Sequence, residues 1–168
     1  HPDWLLALDG YQQPTGRYQY VLDLQKPQVF DYLLERLDTI LGSYDIAYVK
    51  WDMNREVVQP GHDGYAVLDG QTKALYDLFD ELRQRHPKVE FESCASGGGR
   101  IDYEILKRTH RFWTSDNNDA LERQQIQRGM SYFFPPEVMG SHIGGRHCHC
   151  TRRTHSISFR GLTALFGH

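Results

Sequence analysis

No stretch of this 168-residue sequence stays apolar for the roughly 18 to 20 positions that a membrane-spanning helix needs, so no membrane partner is expected. Charge is not segregated either. The net charge of −3 comes from 19 Lys and Arg against 22 Asp and Glu, scattered without runs. A nucleic-acid partner would need the cations clustered, so none is expected. Cysteine is scarce. Cys94, Cys148 and Cys150 cannot all pair with one another, so there is no disulfide framework, and a reducing, cytoplasmic compartment is the expectation. Phosphate-cradling signatures of the GxxxxGK[ST] and GxGxxG kinds are missing, and no cofactor is expected. Repeats, low-complexity tracts and linkers are missing too, which leaves one domain over residues 1–168 and no second one. No leader is visible, but the first residue is His1 and not Met, so that absence excludes little.

What is present is an alternation of strand and helix patterns. Tyr18–Leu24 ("YQYVLDL") reads as a strand, and Pro27–Leu41 carries helical spacing through Val29, Leu33, Leu37 and Ile40. Ile46–Trp51 is strand-like, and Thr72–Arg85 is helical with Leu75, Leu78, Phe79 and Leu82 on one face. Val89–Cys94 and Arg111–Ser115 are further strands, Tyr103–Lys107 a short helix, and Ala120–Tyr132 and Ile157–Phe166 longer ones. Gln59–Gly70 reads as a βα loop. Repeated βα units predict an α/β fold with a parallel sheet and helices outside it. About four to five units fit, whereas a complete (β/α)8 TIM-type barrel takes about 250 residues. The chain is therefore either a compact open α/β domain or part of a larger barrel.

The chemically interesting residues sit just after strands, where parallel α/β folds bind ligands. Lys50, Asp52 and Asn54 are spaced two apart, so a strand would project them to one side. A Lys beside a carboxylate favours its ionised form, which a carboxylate nucleophile needs. A solvated strand end with a plain Lys–Asp pair accounts for the same spacing. "CASGGGR", from Cys94 to Arg100, combines a thiol with three glycines that let backbone approach a ligand. A plain tight turn is the alternative, and Cys94 as a nucleophile would need a base beside it. "WTSDNNDALER" offers Asp116 and Asp119, among Ser and Asn residues that all make good helix N-caps. The segment 142–155 is rich in His and Cys, with His142, His147, Cys148, His149, Cys150 and His155. Its CxC spacing does not match the common zinc sites, so it reads as a loop over the site, and no metal is expected.

With "HPDW", "GRYQYVLDL", "YVKWDMNR", "ESCASGGGRID" and "WTSDNNDALERQQIQRG" in that order, residues 1 to about 142 resemble the retaining α-galactosidases of glycoside hydrolase family thirty-six. The resemblance implies Asp52 as the nucleophile and Asp116 as the acid/base. It implies Arg17, Lys50 and Asn54 at the sugar hydroxyls, Cys94 and Gly97 lining the galactose pocket, and Asp119 in support and capping. Two family features have no match here: an Asp–Asp pair and a Trp from earlier barrel strands. The segment after His142 departs from the family pattern, and the chain ends before a barrel would close.

The implied reaction is double displacement on α-galactoside oligosaccharides such as melibiose and raffinose, with carboxyl groups about 5–5.5 Å apart. Transfer to an acceptor sugar, as in raffinose-oligosaccharide synthesis, is the enzymatic alternative. An inactive fragment or sugar-binding remnant is the other. A homo-oligomer is left open for the full-length protein.

Overall fold

A computed structural model describes residues 1–168. In chain order the elements are α1 (Pro27–Ser43), β1 (Tyr48–Asp52), β2 (Gly61–His62), β3 (Tyr65–Ala66), α2 (Leu68–Arg85), β4 (Glu90–Cys94), α3 (Tyr103–Leu106), β5 (Arg111–Trp113), α4 (Ala120–Ser131), β6 (Met139–Gly140) and α5 (Ile157–Ala164). Their contacts fall into two compact units. One holds His1–Val49 with Asn54–Glu90, the other Lys50–Met53 with Phe91–His168.

The first unit is organised by α1 against α2. Pro27 opens α1 at a position whose N–H would have no helical partner, so its ring costs nothing there. The buried side of α1 carries Val29, Leu34 and Leu41, with Leu33 and Leu37 half-buried and Ile40 exposed, so of the expected Val29–Leu33–Leu37–Ile40 line Val29 is fully buried and the stripe turns away from Ile40. Between Leu34 and Leu41, Asp38 takes His86 Nε2 at 2.7 Å and Arg85 Nη1 at 3.1 Å from the end of α2. On α2, Leu78, Phe79 and Leu82 are buried with the spacing expected of one helix face.

Two segments of this unit differ from the sequence expectation. Tyr18–Leu24 forms no strand. Arg17 and Tyr18 adopt left-handed backbone (φ 53° and 61°), which makes a turn closed by Gly16 and Gln19, and beyond it Leu22 pairs only with Leu5. The buried Arg55 holds that turn, donating to the carbonyls of Gln19, Pro14 and Glu56. The expected loop at Gln59–Gly70 contains a hairpin, β2 against β3. Its two-residue turn, Asp63-Gly64, has positive φ at both positions (49° and 77°), the geometry that matches strand twist. His62 Nδ1 pairs with the fully buried Asp23 at 2.5 Å and anchors the hairpin.

The second unit is organised by a sheet in the order β1-β4-β5-β6, with β4–β5 and β5–β6 parallel. Each of these strands is followed along the chain by a helix. Phe112 and Phe134 meet edge to face at 5.1 Å, and Met139 joins them, with Ile101, Leu106, Met130 and Val138 around the cluster. Burying a side chain of this size contributes about 1.5–3 kcal/mol. β6 went unrecognised in the sequence because it has two residues; the last residue completes its pairing, His168 N–H donating to Met139 O. Arg123 of α4, 3% exposed, donates to Thr114 Oγ1, Ser115 O and Gly140 O, tying the ends of β5 and β6 together. Burial pulls its pKa down to about 10, so it remains a cation at neutral pH.

Asp119 caps α4, accepting from the N–H groups of Leu121 and Glu122. It also accepts from the Thr151 hydroxyl, and lies 3.2 Å from His155 Nε2 and 3.5 Å from Arg153. One fully buried carboxylate therefore caps a helix and fastens the 142–155 segment. Burial opposes the charge, but the donors from Thr151, Glu122, Leu121 and His155 outweigh it and hold the Asp119 pKa far below the usual carboxylate range. A depressed carboxylate pKa contributes stability that is present above the unfolded value of about 3.9 and lost as pH falls through the folded one. Asp119→Ala in the full-length protein is expected to cost about 2 kcal/mol, because it removes the cap of α4 and the acceptor shared by Thr151 and His155. It should expose Arg152 and Arg153 to trypsin at neutral pH, while the parent resists down to acidic pH. Equal cleavage rates in the two proteins would disprove the clasp.

Candidate active site

The second unit gathers Lys50, Asp52, Cys94, Gly97 and Asp116; Arg17 and Asn54 belong to the first. Asp52 ends β1, exposed on the same side of the strand as Lys50. It accepts from the Ser96 N–H at 3.4 Å. Cys94, 1% exposed, is hydrogen-bonded to Asp52 as well. Burial pushes the Cys94 thiol up to about 11, with the Gly97 N–H pulling the other way and Asp52 adding to the rise. Cys94 is therefore a protonated donor to Asp52 and not a nucleophile.

The glycines after Cys94 serve close backbone packing. Ser96 and Gly97 turn with positive φ (48° and 87°), and Ala95 N–H donates to Gly97 O at 3.0 Å. A Cβ on Gly97 would stand 2.9 Å from Ser115 Cα and 3.0 Å from Asp116 N; one on Gly98 would stand 2.8 Å from Thr114 O. The turn that touches Asp52 is thus laid directly on the backbone that carries Asp116. Arg100 closes the turn from below, donating to the carbonyls of Trp51 at 3.3 Å and Cys94 at 3.1 Å.

Asp116 is exposed, and its Oδ1 accepts the Trp113 indole N–H at 3.0 Å. The sequence marks Trp113 only as an apolar residue of β5; its polar edge is what aims the carboxylate. The ring is held on its faces. Lys50 Nζ lies 4.3 Å from the ring centroid, Arg123 Cζ 4.5 Å, and His142 stacks at 4.2 Å. Burial lowers the His142 pKa against the pull of Glu92, with Lys50, Arg123 and Arg111 adding to the fall. The imidazole is consequently neutral at pH 7.

Glu92 is the residue that sequence reasoning missed. It is 1% exposed in the middle of β4, with Lys50 Nζ 3.4 Å from Oε1 and Arg111 Nε 3.2 Å from Oε2. Its signal was visible: an acid inside "VEFESC" flanked by apolar residues needs cationic neighbours when buried. Lys50 was expected to serve Asp52; the carboxylate it pairs with is Glu92. The His and Cys side chains of 142–155 nowhere converge in the groups of three or more that a metal ion would require.

Asp52 and Asp116 are thus two open carboxylates at strand ends, linked through one turn, where parallel α/β folds bind ligands. The model of the Melibiase family matches residues 1–168, and the chain belongs to that family. It is 70% identical over 168 residues to an alpha-galactosidase of Escherichia coli, covering 100% of this chain and 24% of that one. The crystal structure of the family thirty-six alpha-galactosidase AgaA from Geobacillus stearothermophilus matches with a TM-score of 0.95 at 38% identity, over 99% of this chain and 24% of that one. A variant of AgaA in complex with raffinose matches equally, with a TM-score of 0.95 and the same coverage. The chain spans about a quarter of the length of these relatives. Its α/β fold is part of the TIM-type barrel of the family's catalytic domain.

Gly97→Ala tests the close approach. The new Cβ meets main-chain atoms, which cannot swing aside, at a φ of +87°. A loss of roughly 2 kcal/mol is expected in denaturant unfolding. Gly129→Ala, on α4 with nothing within 4 Å of the added carbon, should instead stabilise by about 0.5–1 kcal/mol. Equal effects at the two glycines would refute the packing role of Gly97.

Proposed function

We propose that this chain carries both catalytic carboxylates of a retaining α-galactosidase acting on raffinose-type oligosaccharides. The observation that carries the reading is the single Cys94–Gly97 turn, which donates to Asp52 and packs on the backbone of Asp116. Family membership supplies the substrate class, and raffinose bound to the related AgaA variant supports it.

In this reading Asp52 attacks the anomeric carbon. Asp116 delivers its proton to the leaving glycosidic oxygen, then takes one from the water that resolves the β-galactosyl-enzyme. Cys94 S–H and Ser96 N–H hold the attacking carboxylate, and Trp113 N–H holds the other. The protonated Cys94 does not compete as a nucleophile. Lys50, Cys94 and Gly97, like Arg17 and Asn54, keep their assignment to the sugar on the resemblance alone.

In the full-length protein, Asp116→Ala should lower kcat/KM for raffinose about 10²- to 10⁴-fold, the usual contribution of general acid–base catalysis. Azide should then trap α-galactosyl azide from this variant, and β-galactosyl azide from Asp52→Ala. Formation of β-galactose as the first product of the parent enzyme would exclude the retaining mechanism. Oligosaccharides replacing free galactose at high acceptor concentration would favour transfer over hydrolysis. Residues 1–168 alone should hydrolyse no aryl α-galactoside measurably; activity in that piece would contradict the need for the rest of the barrel.

A further inference from the structure

His142 is held in place by the chain, but its polar atoms serve nothing within it. It follows β6 two residues past Gly140, at the carboxyl end of the sheet, and is exposed. The ring stacks on Trp113, with centroids 4.2 Å apart and an interplanar angle of 30°. The backbone on either side is pinned. Ser141 N–H donates to His168 O at 3.2 Å, Gly140 O accepts from Arg123 Nη2 at 2.7 Å, and Gly144 O accepts from the Arg160 guanidinium. A Cβ on Gly144 would stand 3.3 Å from Asn118 Cβ, so the segment doubles back onto the residues that follow Asp116. Neither ring nitrogen of His142 hydrogen-bonds any group of the chain. An exposed ring that is already ordered, with its polar atoms unspent, is suited to a ligand.

Its place in the sheet says which part of a ligand. In the strand order β1-β4-β5-β6, Asp52 ends the first strand, Asp116 follows the third and His142 follows the last. His142 thus lies beyond Asp116 as seen from Asp52. Where Asp52 attacks galactose and Asp116 protonates the leaving oxygen, as proposed above and as this inference requires, groups beyond the acid face the departing sugar. We propose that the His142 imidazole hydrogen-bonds a hydroxyl of that departing sugar, and so makes the site selective for carbohydrate leaving groups.

The chemistry of the ring fits a hydroxyl. Burial of its stacked face lowers the pKa against the pull of Glu92, and Lys50, Arg123 and Arg111 add to the fall. A neutral imidazole carries one N–H donor and one acceptor nitrogen, and a sugar hydroxyl offers the same pair in return. An imidazolium would have donors only. Stacking uses the face of the ring and leaves both nitrogens on its edge. The indole beneath donates to Asp116 from its own edge at 3.0 Å, so one ring orders both the acid and the imidazole. His142 does not touch the bond that breaks; it selects what is attached there.

The test is made on the full-length protein carrying Asp52→Ala, whose missing nucleophile halts turnover. Raffinose and free galactose are titrated against it by calorimetry. His142→Phe keeps a ring to stack on Trp113 and removes both nitrogens. Raffinose should then bind roughly 2- to 10-fold more weakly, the worth of one neutral hydrogen bond, while galactose binding is unchanged. His142→Gln, which restores a donor and an acceptor, should recover part of the raffinose affinity. With both acids intact, His142→Phe should lower kcat/KM for raffinose by a similar factor. It should leave kcat/KM for α-galactosyl fluoride at the parent value, because that leaving group has no hydroxyl. Unchanged raffinose affinity, an equal loss for raffinose and galactose, or no recovery with Gln would overturn the proposal. If raffinose does not bind even with His142 in place, the galactosidase reading itself falls and this inference with it.

Discussion

The candidate site depends on a contact between two stretches of main chain. Gly97 lies so close to Ser115 and Asp116 that one added carbon would sit within 3.0 Å of backbone. Side chains at a contact can adjust; backbone against backbone cannot, because both partners are already fixed in strands or turns. The loop after β4 is thus set against the loop after β5 with little play. Asp52 is set from the same loop through Ser96 and Cys94. The proposed reaction, with two acids acting on opposite sides of one glycosidic bond, would draw on this shared support. Three consecutive glycines are its simplest chemical solution.

Below the turn, the second constraint is electrostatic. A carboxylate as buried as Glu92 would lose several kcal/mol of solvation if unpaired. Lys50 and Arg111 flank it from the neighbouring strands β1 and β5. Lys50 reaches the open strand end only in company: its ammonium is shared between Glu92 and the face of Trp113. Arg123 and His142 complete the support around that ring. The indole then has one orientation, with its N–H aimed at Asp116. A neutral His142 suits this setting, since a fourth cation there would work against Lys50, Arg111 and Arg123.

Much of this was legible in the sequence, and the gaps have physical causes. Helices α1, α2 and α4 declared themselves because a long amphipathic period averages over local accidents. The strands β1, β4 and β5 were readable as short apolar runs ahead of polar clusters, and that order pointed to the candidate site. Tyr18–Leu24 has strand composition but lacks a ladder, since a strand exists only through its neighbours and Leu22 finds Leu5 alone. The Asp63-Gly64 hairpin carried the strongest short-range hairpin signal available and was overlooked among the loop glycines. The pairing of Glu92 with Lys50 and Arg111 spans three strands, and strand order is not written in any local period. The clasp of segment 142–155 onto Asp119 joins residues more than 30 positions apart, beyond the reach of spacing arguments.

The stretch "SDNND" shows how geometry separates two acids that composition treats alike. Both Asp116 and Asp119 had the position and chemistry of a helix cap. Asp119 is fully buried and takes donors from Leu121, Glu122, Thr151 and His155, so its oxygens are committed to structure. A carboxylate held that far below its ordinary pKa cannot hand over a proton near neutrality. Asp116 stands one strand end away, open to solvent, with the Trp113 indole on Oδ1. One donor is enough to aim a carboxylate without committing it. The buried acid fastens the frame, and because it takes over capping α4, the exposed acid keeps its second oxygen uncommitted to the helix.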